Sequence, residues 1–172
     1  MYGQWLRVSS AELEHAKADL DWAEDFAESV AEAEYQYEDN RDLPDRRSYG
    51  TDKAWHALDY LLQRKGFPVA IIFGEERFTD DDVDDTEADW GYGAPGYLTP
   101  VQVRQAAAAL AELTREALLE GVDPAELQRE EIYPAVWDRP GELEWPVGFL
   151  PDIKTYFNAA AAKDEAIICW IS

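Results

Sequence analysis

The sequence predicts a single α+β domain, mostly helical, with a small mixed sheet whose strands lie far apart along the chain. Three observations support this prediction. Helix start signals recur throughout, short apolar runs stand near both ends and in the middle, and 172 residues with 47% apolar content suffice for one core. Strands separated by several helices are typical of α+β domains.

The first part of the chain predicts one strand followed by two helices. Residues 4–9, QWLRVS, are short and alternate enough for a strand. Ser9 and Glu12 have the spacing of a capping box, which starts a helix. Asp21 and Glu24 repeat the pattern for a second helix. One face of that helix carries apolar residues at spacings of three and four: Trp22, Phe26, Val30, Ala33 and Tyr37.

The middle of the chain predicts a helix, a buried strand and an irregular loop. Thr51 can cap a helix over residues 52–66, which ends at a glycine. Residues 69–74, VAIIFG, are short and β-branched, as buried strands are. Residues 75–98 have no hydrophobic period, so we expect an acidic, glycine-containing loop there.

Residues 99–121 predict a long helix. Thr99 is a candidate cap, Pro100 takes the first helical position, and Gln102 completes the capping pattern. A buried stripe then follows at helical spacing, before Gly121 ends the helix: Val103, Ala106, Leu110, Leu113 and Ala117.

The end of the chain predicts two further helices and a closing strand. Asp123 and Pro124 start a short helix, and a turn-rich stretch follows over residues 137–148. A helix over about 151–162 and the strand AIICWI, residues 166–171, complete the domain, which we expect to span 1–172.

The charge of the chain limits its partners. The formal net charge is -22 and the pI is about 4.2. Nucleic acid and anionic membranes are held through Lys and Arg, so neither is an expected partner, whereas a basic protein is favoured. The start of the chain has no signal-peptide pattern and no apolar run approaches the roughly 20 residues of a membrane span. We therefore expect a cytoplasmic monomer or weak homodimer that acts as a non-catalytic binding or protein-interaction module.

Residues 90–100, WGYGAPGYLTP, contain Gly91, Gly93 and Gly96 at the spacing G-x-G-x-x-G of dinucleotide-binding loops. A dinucleotide site needs a hydrophobic strand entering the first glycine and a helix opening within the motif. Here an acidic stretch precedes Gly91 and the helix starts only after Thr99. We therefore predict a structural connector in which the glycines turn the chain and Tyr97 and Leu98 pack inward, and we expect no cofactor.

No metal site is expected either. Asp80, Asp82 and Asp84 match the first ligands of a calcium loop, but Asp85 takes the place of the obligatory glycine and Gly91 that of the bidentate glutamate. Cys169, the only cysteine, lies in an apolar segment typical of a buried, inert thiol.

Two alternatives to a binding module stay open. A hydrolase-like enzyme would use His56 as general base, oriented by Asp59 one turn later, with Tyr92 or Tyr133 as a hydrogen-bond donor in an aromatic-lined cleft. An acidic neutraliser of a basic toxin, or a nucleic-acid mimic, would use the carboxylates of residues 80–89. Aromatic residues are candidates for a binding surface: Trp55, Trp90, Tyr97, Trp137 and Trp145.

Three segments, DKAWHALDYLL at 52–62, GYGAPGYLTPVQV at 91–103 and IYPAVW at 132–137, occur in this order. With them, and with the closing AIICWIS, the chain resembles the YfbM-like family of small bacterial proteins of unknown function. The resemblance spans nearly the whole chain. It implies one α/β domain and supplies no established activity or catalytic residue.

Overall fold

Five short strands from distant parts of the chain form one antiparallel sheet in the computed structural model, which describes residues 1–36, 42–78 and 90–172. The strands are β1 (Gly3–Val8), β2 (Ser48–Asp52), β3 (Glu76–Arg77), β4 (Gly96–Leu98) and β5 (Ala166–Ile171). Their order is β2-β1-β5-β4-β3. Each of the four strand pairings is antiparallel, where the sequence led us to expect a mixed sheet.

Helices cover both faces of this sheet. The described helices are α1 (Ser10–Ala18), α2 (Leu20–Gln36), α3 (Trp55–Arg64), α4 (Pro100–Glu112), α5 (Arg115–Leu119), α6 (Pro124–Arg129), α7 (Glu144–Gly148) and α8 (Leu150–Ala162). The chain is therefore an α+β domain, as predicted. Among these helices none has both the length and the apolar content to span a bilayer.

Strand β5 is buried on both of its faces, which explains its continuous apolar sequence. Ile167 and Cys169 face a core shared with α3, α4 and α8. Ala166 and Ile168 face a second core, shared with α1 and α2. Side chains alternate across a strand, so a strand buried between two layers needs apolar residues at every position.

The two N-terminal helices form as predicted. The Ser9 hydroxyl accepts a hydrogen bond from the Glu12 amide, and the Glu12 carboxylate accepts one from the Ser9 amide, which is a complete capping box. The second helix begins at Leu20, because the Asp19 carboxylate accepts from the Trp22 amide. The capping residue is thus Asp19, two residues before the predicted Asp21.

The region before α3 differs from the prediction. Thr51 is not a helix cap but a buried residue of β2, and its hydroxyl lies 3.5 Å from the carbonyl oxygen of Gly3. Helix α3 begins at Trp55, without a side-chain cap. The sequence of β2, SYGTD, is too short and polar to predict a strand; its pairing with β1 supplies the hydrogen bonds.

Residues 69–74 form turns, so the strand predicted there is wrong. Val69, Ile71 and Ile72 are buried in the core, as a strand would require. The backbone instead folds on itself, with the Gly74 amide donating to the Ala70 carbonyl. The Ile71 carbonyl accepts from the Trp5 indole at 2.7 Å. A short apolar run predicts burial better than it predicts a backbone conformation.

The long helix predicted over 99–121 is two helices. Leu113 is extended, and the Thr114 hydroxyl accepts from the Ala117 amide to cap α5. The start of α4 is as predicted, with Thr99 and Gln102 bonded reciprocally and Pro100 at the first helical position. Asp123 caps α6, also as predicted.

The loop predicted over 75–98 is ordered at both ends. Residues 76–77 pair with β4, and Leu98 lies fully buried in the core. Gly96 lies within β4. A larger residue at Gly74 would place its Cβ 2.5 Å from the backbone nitrogen of Tyr97. Gly74 and Gly96 therefore let two backbone segments touch. The turning role predicted for the connector fits Gly91 and Gly93, whose φ values are positive. The acidic run at 80–89 lies outside the described residues.

We expect Thr99→Ala to lower the free energy of unfolding by about 0.5–2 kcal/mol, the usual range for the loss of such a cap. The Thr99 hydroxyl accepts from the Gln102 amide in the native chain. Urea denaturation measures the change. Thr155→Ala is the matched control, because Thr155 lies inside α8 with its hydroxyl on the Pro151 carbonyl, where alanine is the better helix former. Equal losses in the two variants would contradict the capping role.

A buried charge network joins the sheet to the N-terminal helices. Arg7 is 1% exposed; its Nε donates to Glu165 at 2.6 Å and its Nη1 to the Pro44 and Arg46 carbonyls at 2.7 and 3.0 Å. Arg47 donates to the Glu12 carboxylate at 2.7 Å and to the Arg7 carbonyl at 2.8 Å. These bonds fix residues 43–48 against β1.

Candidate functional site

Helix α3 carries two of the residues that the sequence suggested for a catalytic site, His56 and Asp59, and Tyr133 lies beside its first turn. An aromatic cluster surrounds its first turn: Trp55 stacks on His56 at 4.9 Å between ring centroids, and on Tyr133 at 6.1 Å. Phe73 meets the Trp55 ring edge-on at 5.7 Å. The Trp55 indole N–H is buried and has no hydrogen-bond partner among the described residues. Residues from the first and third family-like segments thus meet here.

The hydrogen bonds of His56 oppose a role as general base. Its Nδ1 accepts from the Tyr133 amide at 3.0 Å, so in the neutral ring the proton sits on Nε2. Burial lowers the pKa of His56 below its ordinary value, which favours this neutral form. The ring nitrogen that could take a proton from a substrate is therefore already occupied.

Asp59 does not orient His56. Its Oδ2 accepts from the Gln63 side-chain amide at 2.6 Å, one turn further along α3. Burial raises the pKa of the Asp59 carboxyl from 3.8 to about 6, against the opposing effect of that hydrogen bond. A carboxyl with a raised pKa in a cleft is a candidate functional group.

Asp59 lines a cleft of about 210 Å³. Helix α3 contributes Asp59, Leu62 and Gln63, residues 67–71 form the opposite wall, and Glu75 completes the lining. The Glu75 carboxylate accepts from the Ala70 amide at 2.6 Å. Sequence reasoning named Asp59 but missed Gln63 and Glu75, because only the turn at 69–74 brings Glu75 back to α3.

We expect Asp59→Asn to raise the free energy of unfolding by about 1 kcal/mol at neutral and higher pH. Because the pKa of Asp59 is raised in the folded state, ionisation destabilises the fold as pH rises from 3.8 to about 6, and the loss is complete above that. Full conversion of this pKa change gives about 3 kcal/mol, and solvent screening at a partly exposed carboxyl reduces it to about 1 kcal/mol.

Urea denaturation across the pH range tests this expectation. The gain should vanish below the ordinary pKa of 3.8, where both states are protonated. Glu112→Gln removes the same charge at an exposed carboxylate on α4, is the matched control, and should not gain this stability. A variant at Asp59 that is no more stable than the native chain above pH 7 would contradict burial as the cause.

The remaining candidate residues lie in different environments. Trp90 and Trp137 are buried, like Trp55, so these three rings pack in the core and do not face solvent. Tyr97 is half-buried against Phe78, with the Lys17 ammonium 5.1 Å from its ring centre. Tyr92 is 63% exposed and Trp145 half-buried. Within the described part of the chain, no contact joins Tyr92 to His56.

A second hollow, of about 530 Å³, lies between α6 and Trp137. Its exposed lining is mainly apolar, and the charged residues in that lining are Asp123, Arg129 and Asp138. Charges of both signs in one lining give no preference for a charged ligand.

The outer face of α2 carries a row of carboxylates. Asp21, Asp25 and Glu28 are exposed, follow each other at spacings of four and three, and form no ion pair with any described residue. Glu32 continues the row, and Tyr35, 87% exposed, stands at its end. We call these five residues the α2 row. The 4-3-4-3 spacing opposite Ala23 and Ala27 could have been found in the sequence.

Metal ligation has no support in the described part of the chain, where no three His, Cys, Asp or Glu side chains converge on one point. Burial raises the pKa of the Cys169 thiol well above its ordinary value, so it is not a reactive thiolate.

Comparisons with known proteins extend the description of the fold. A family model described as a domain of unknown function, DUF1877, matches residues 1–170. No curated protein matches the chain. The structure is similar to the crystal structure of a protein of unknown function, YfbM from Escherichia coli, with a TM-score of 0.68, 18% sequence identity and coverage of 98% of both chains. At this identity the likeness shows a shared fold.

Proposed function

Because this chain belongs to the DUF1877 family of domains of unknown function, we propose a function from its own surface: it is a non-catalytic binding module, and the α2 row is its contact surface for a basic protein. It acts in the cytoplasm as a monomer or weak homodimer. The observation that supports this proposal best is that Asp21, Asp25 and Glu28 of the row are exposed and have no ion-pair partner among the described residues.

The carboxylates of the row together produce one electrostatic field, which acts on a protein partner as it approaches. Residues 21–32 of α2 span about 16 Å at 1.5 Å per residue. A single exposed ion pair contributes at most about 1 kcal/mol. A row of like charges on a chain of net charge -22 produces a field that raises the association rate with a basic partner and suppresses acidic ones.

Tyr35 gives this surface an aromatic residue beside the charges. It is exposed at the end of the row, and tyrosines are enriched among the residues that contribute most to binding energy at interfaces. Lysine or arginine side chains of the partner would pair with the carboxylates, while the Tyr35 ring would bury apolar area.

The two alternatives have less support. The hydrolase-like function needs a free acceptor nitrogen on His56, which the Tyr133 amide occupies. The toxin neutraliser or nucleic-acid mimic was inferred from residues 80–89, which lie outside the described residues, so that alternative gains nothing from the structure. A basic toxin remains one kind of basic partner that the α2 row would bind.

Affinity capture with charge-matched variants tests the proposal. We expect the native chain to retain a basic protein at about 0.05 M salt and to release it at about 0.5 M, because salt screens exposed charges. Changing Asp21→Asn, Asp25→Asn and Glu28→Gln together should abolish capture. Changing Glu112→Gln, Glu120→Gln and Glu130→Gln together alters the net charge equally at exposed sites outside α2 and should preserve capture. Equal losses in both triple variants would refute a localised surface.

A further inference from the structure

The carboxylates of the α3 cleft each have one oxygen engaged within the protein. Asp59 uses Oδ2 to accept from Gln63, and Glu75 uses Oε1 to accept from the Ala70 amide. The second oxygen of each carboxylate has no hydrogen-bond donor among the described residues. Both groups are therefore oriented by the chain and each retains an acceptor for a ligand.

The two carboxylates of the cleft have no basic side chain beside them in its described lining. No lysine or arginine among the described residues forms an ion pair with Asp59 or Glu75, and none lines the cleft. The buried side chains of Leu62, Val69 and Ile71 form an apolar floor. Asp59 is half-buried, whereas Glu75 is exposed. A half-buried carboxylate without a counter-ion destabilises the fold, and proteins retain such groups where a ligand uses them.

We propose that this cleft binds an alkylammonium group, held by the carboxylates of Asp59 and Glu75, with its aliphatic stem on the apolar floor. The ammonium donates three hydrogen bonds, and two of them find the remaining oxygens of the carboxylates. The stem replaces water on the floor, which adds to affinity in proportion to the apolar area buried. The group belongs either to a free small amine or to a lysine side chain of another protein.

Other ligand classes fit less well. An anion would be repelled by both carboxylates, since no described cation lines the cleft. A metal ion needs three or more converging ligands, and the described residues provide no such group. The apolar floor distinguishes an alkylammonium from a hydrated inorganic cation, which would lose water there without a replacement.

Amide chemical-shift titration of the full chain tests this site, with n-pentylamine as the probe and n-pentanol as its neutral match. We expect saturable shifts at Ala70 and at the Gln63 side-chain amide with pentylamine, and none with pentanol at the same concentrations. Asp59→Asn should weaken pentylamine binding at least tenfold and Glu75→Gln severalfold. Glu112→Gln, which removes an equal charge from α4, should change it less than twofold.

The pH dependence of binding follows from the groups that face the ligand. Asp59 and Glu75 are the titratable groups of the cleft lining, and the others are Gln63 and apolar residues. Since the pKa of Asp59 is about 6 and the cation requires the ionised form, affinity should fall about tenfold per pH unit below pH 6 and level off above it.

A blocked tripeptide Gly-Lys-Gly, compared with its norleucine analogue, distinguishes the two sources of the amine. Tighter binding of the lysine peptide than of pentylamine supports a partner's side chain, and exclusion of the peptide with retention of pentylamine supports a free amine. If pentylamine and pentanol behave alike, or if Asp59→Asn binds as tightly as the native chain, the proposal is wrong. The cleft and the α2 row use different residues. The amine-binding result therefore neither supports nor contradicts the proposal that the α2 row binds a basic protein.

Discussion

Arg7→Met is expected to lower the free energy of unfolding by about 3–5 kcal/mol, the range for removing one partner of a buried ion pair. Arg7 is 1% exposed and donates to the Glu165 carboxylate and to the Pro44 and Arg46 carbonyls. Its guanidinium also lies 5.8 Å from the centre of the Tyr156 ring. Methionine fills part of the space but leaves a carboxylate and two carbonyls without their donor, so the loss exceeds that of one hydrogen bond.

Arg104→Met is the matched control for this prediction. Arg104 also pairs with a carboxylate, that of Asp164, but the two side chains are 48% and 69% exposed. Its loss should be at most about 1 kcal/mol. Adding Glu165→Gln to Arg7→Met should recover part of the stability, because the uncompensated charge is then removed. Urea denaturation measures all four chains, and a loss below about 1 kcal/mol for Arg7→Met would contradict the network.

Gly96→Ala is expected to lower the free energy of unfolding by about 3 kcal/mol, as a methyl group is forced into a filled space. A Cβ at this position would overlap the carbonyl oxygen of Phe73 and lie 3.0 Å from that of Glu76. Both are backbone atoms, which cannot rotate away as a side chain could. Relief therefore requires β4 to move, and β4 pairs with both β3 and β5.

Gly148→Ala provides the comparison for this prediction. Nothing lies within 4 Å of a Cβ built at Gly148, which ends α7. Alanine there should leave stability unchanged or raise it slightly. If Gly96→Ala is no less stable than Gly148→Ala, the close backbone contact is not what requires glycine.

Nicotinamide and flavin dinucleotides should leave the melting temperature of the native chain unchanged, because the third glycine of the motif lies inside a strand.

The helix starts could be predicted from sequence because their signals are local. Ser9 with Glu12, Thr99 with Gln102 and Asp123 all cap through bonds to residues two or three positions away. Such contacts form whenever the helix forms. The strand β5 was predictable for a similar reason, since an apolar residue at every position indicates a strand buried on both faces.

Two of the errors, strand β2 and residues 69–74, fall where distant contacts decide the backbone. Strand β2 has no apolar alternation, and it is a strand because β1 pairs with it. Residues 69–74 have the composition of a strand, but the Ile71 carbonyl accepts a hydrogen bond from the Trp5 indole, 66 positions away. No local pattern in either segment records these partners, so tertiary contacts override local preference.

The candidate site shows the same division. Helical spacing correctly placed His56 and Asp59 one turn apart. It could not show that Nδ1 of His56 already accepts a hydrogen bond from the Tyr133 amide, 77 positions away. The α2 row, by contrast, follows from the spacing of acids along one helix and could have been found in the sequence. Spacing alone does not show that Asp21, Asp25 and Glu28 have no ion-pair partner among the described residues, which leaves these three carboxylates available for binding.

The salt dependence of the association rate with the captured basic protein tests the central proposal most directly. Stopped-flow mixing should show the native rate constant falling at least tenfold between about 0.05 and 0.5 M salt, as steered association does. The variant with Asp21→Asn, Asp25→Asn and Glu28→Gln should associate slowly and with little salt dependence. The charge-matched variant at Glu112, Glu120 and Glu130 should keep most of the native rate and slope. Identical slopes for the two triple variants would contradict binding through the α2 row.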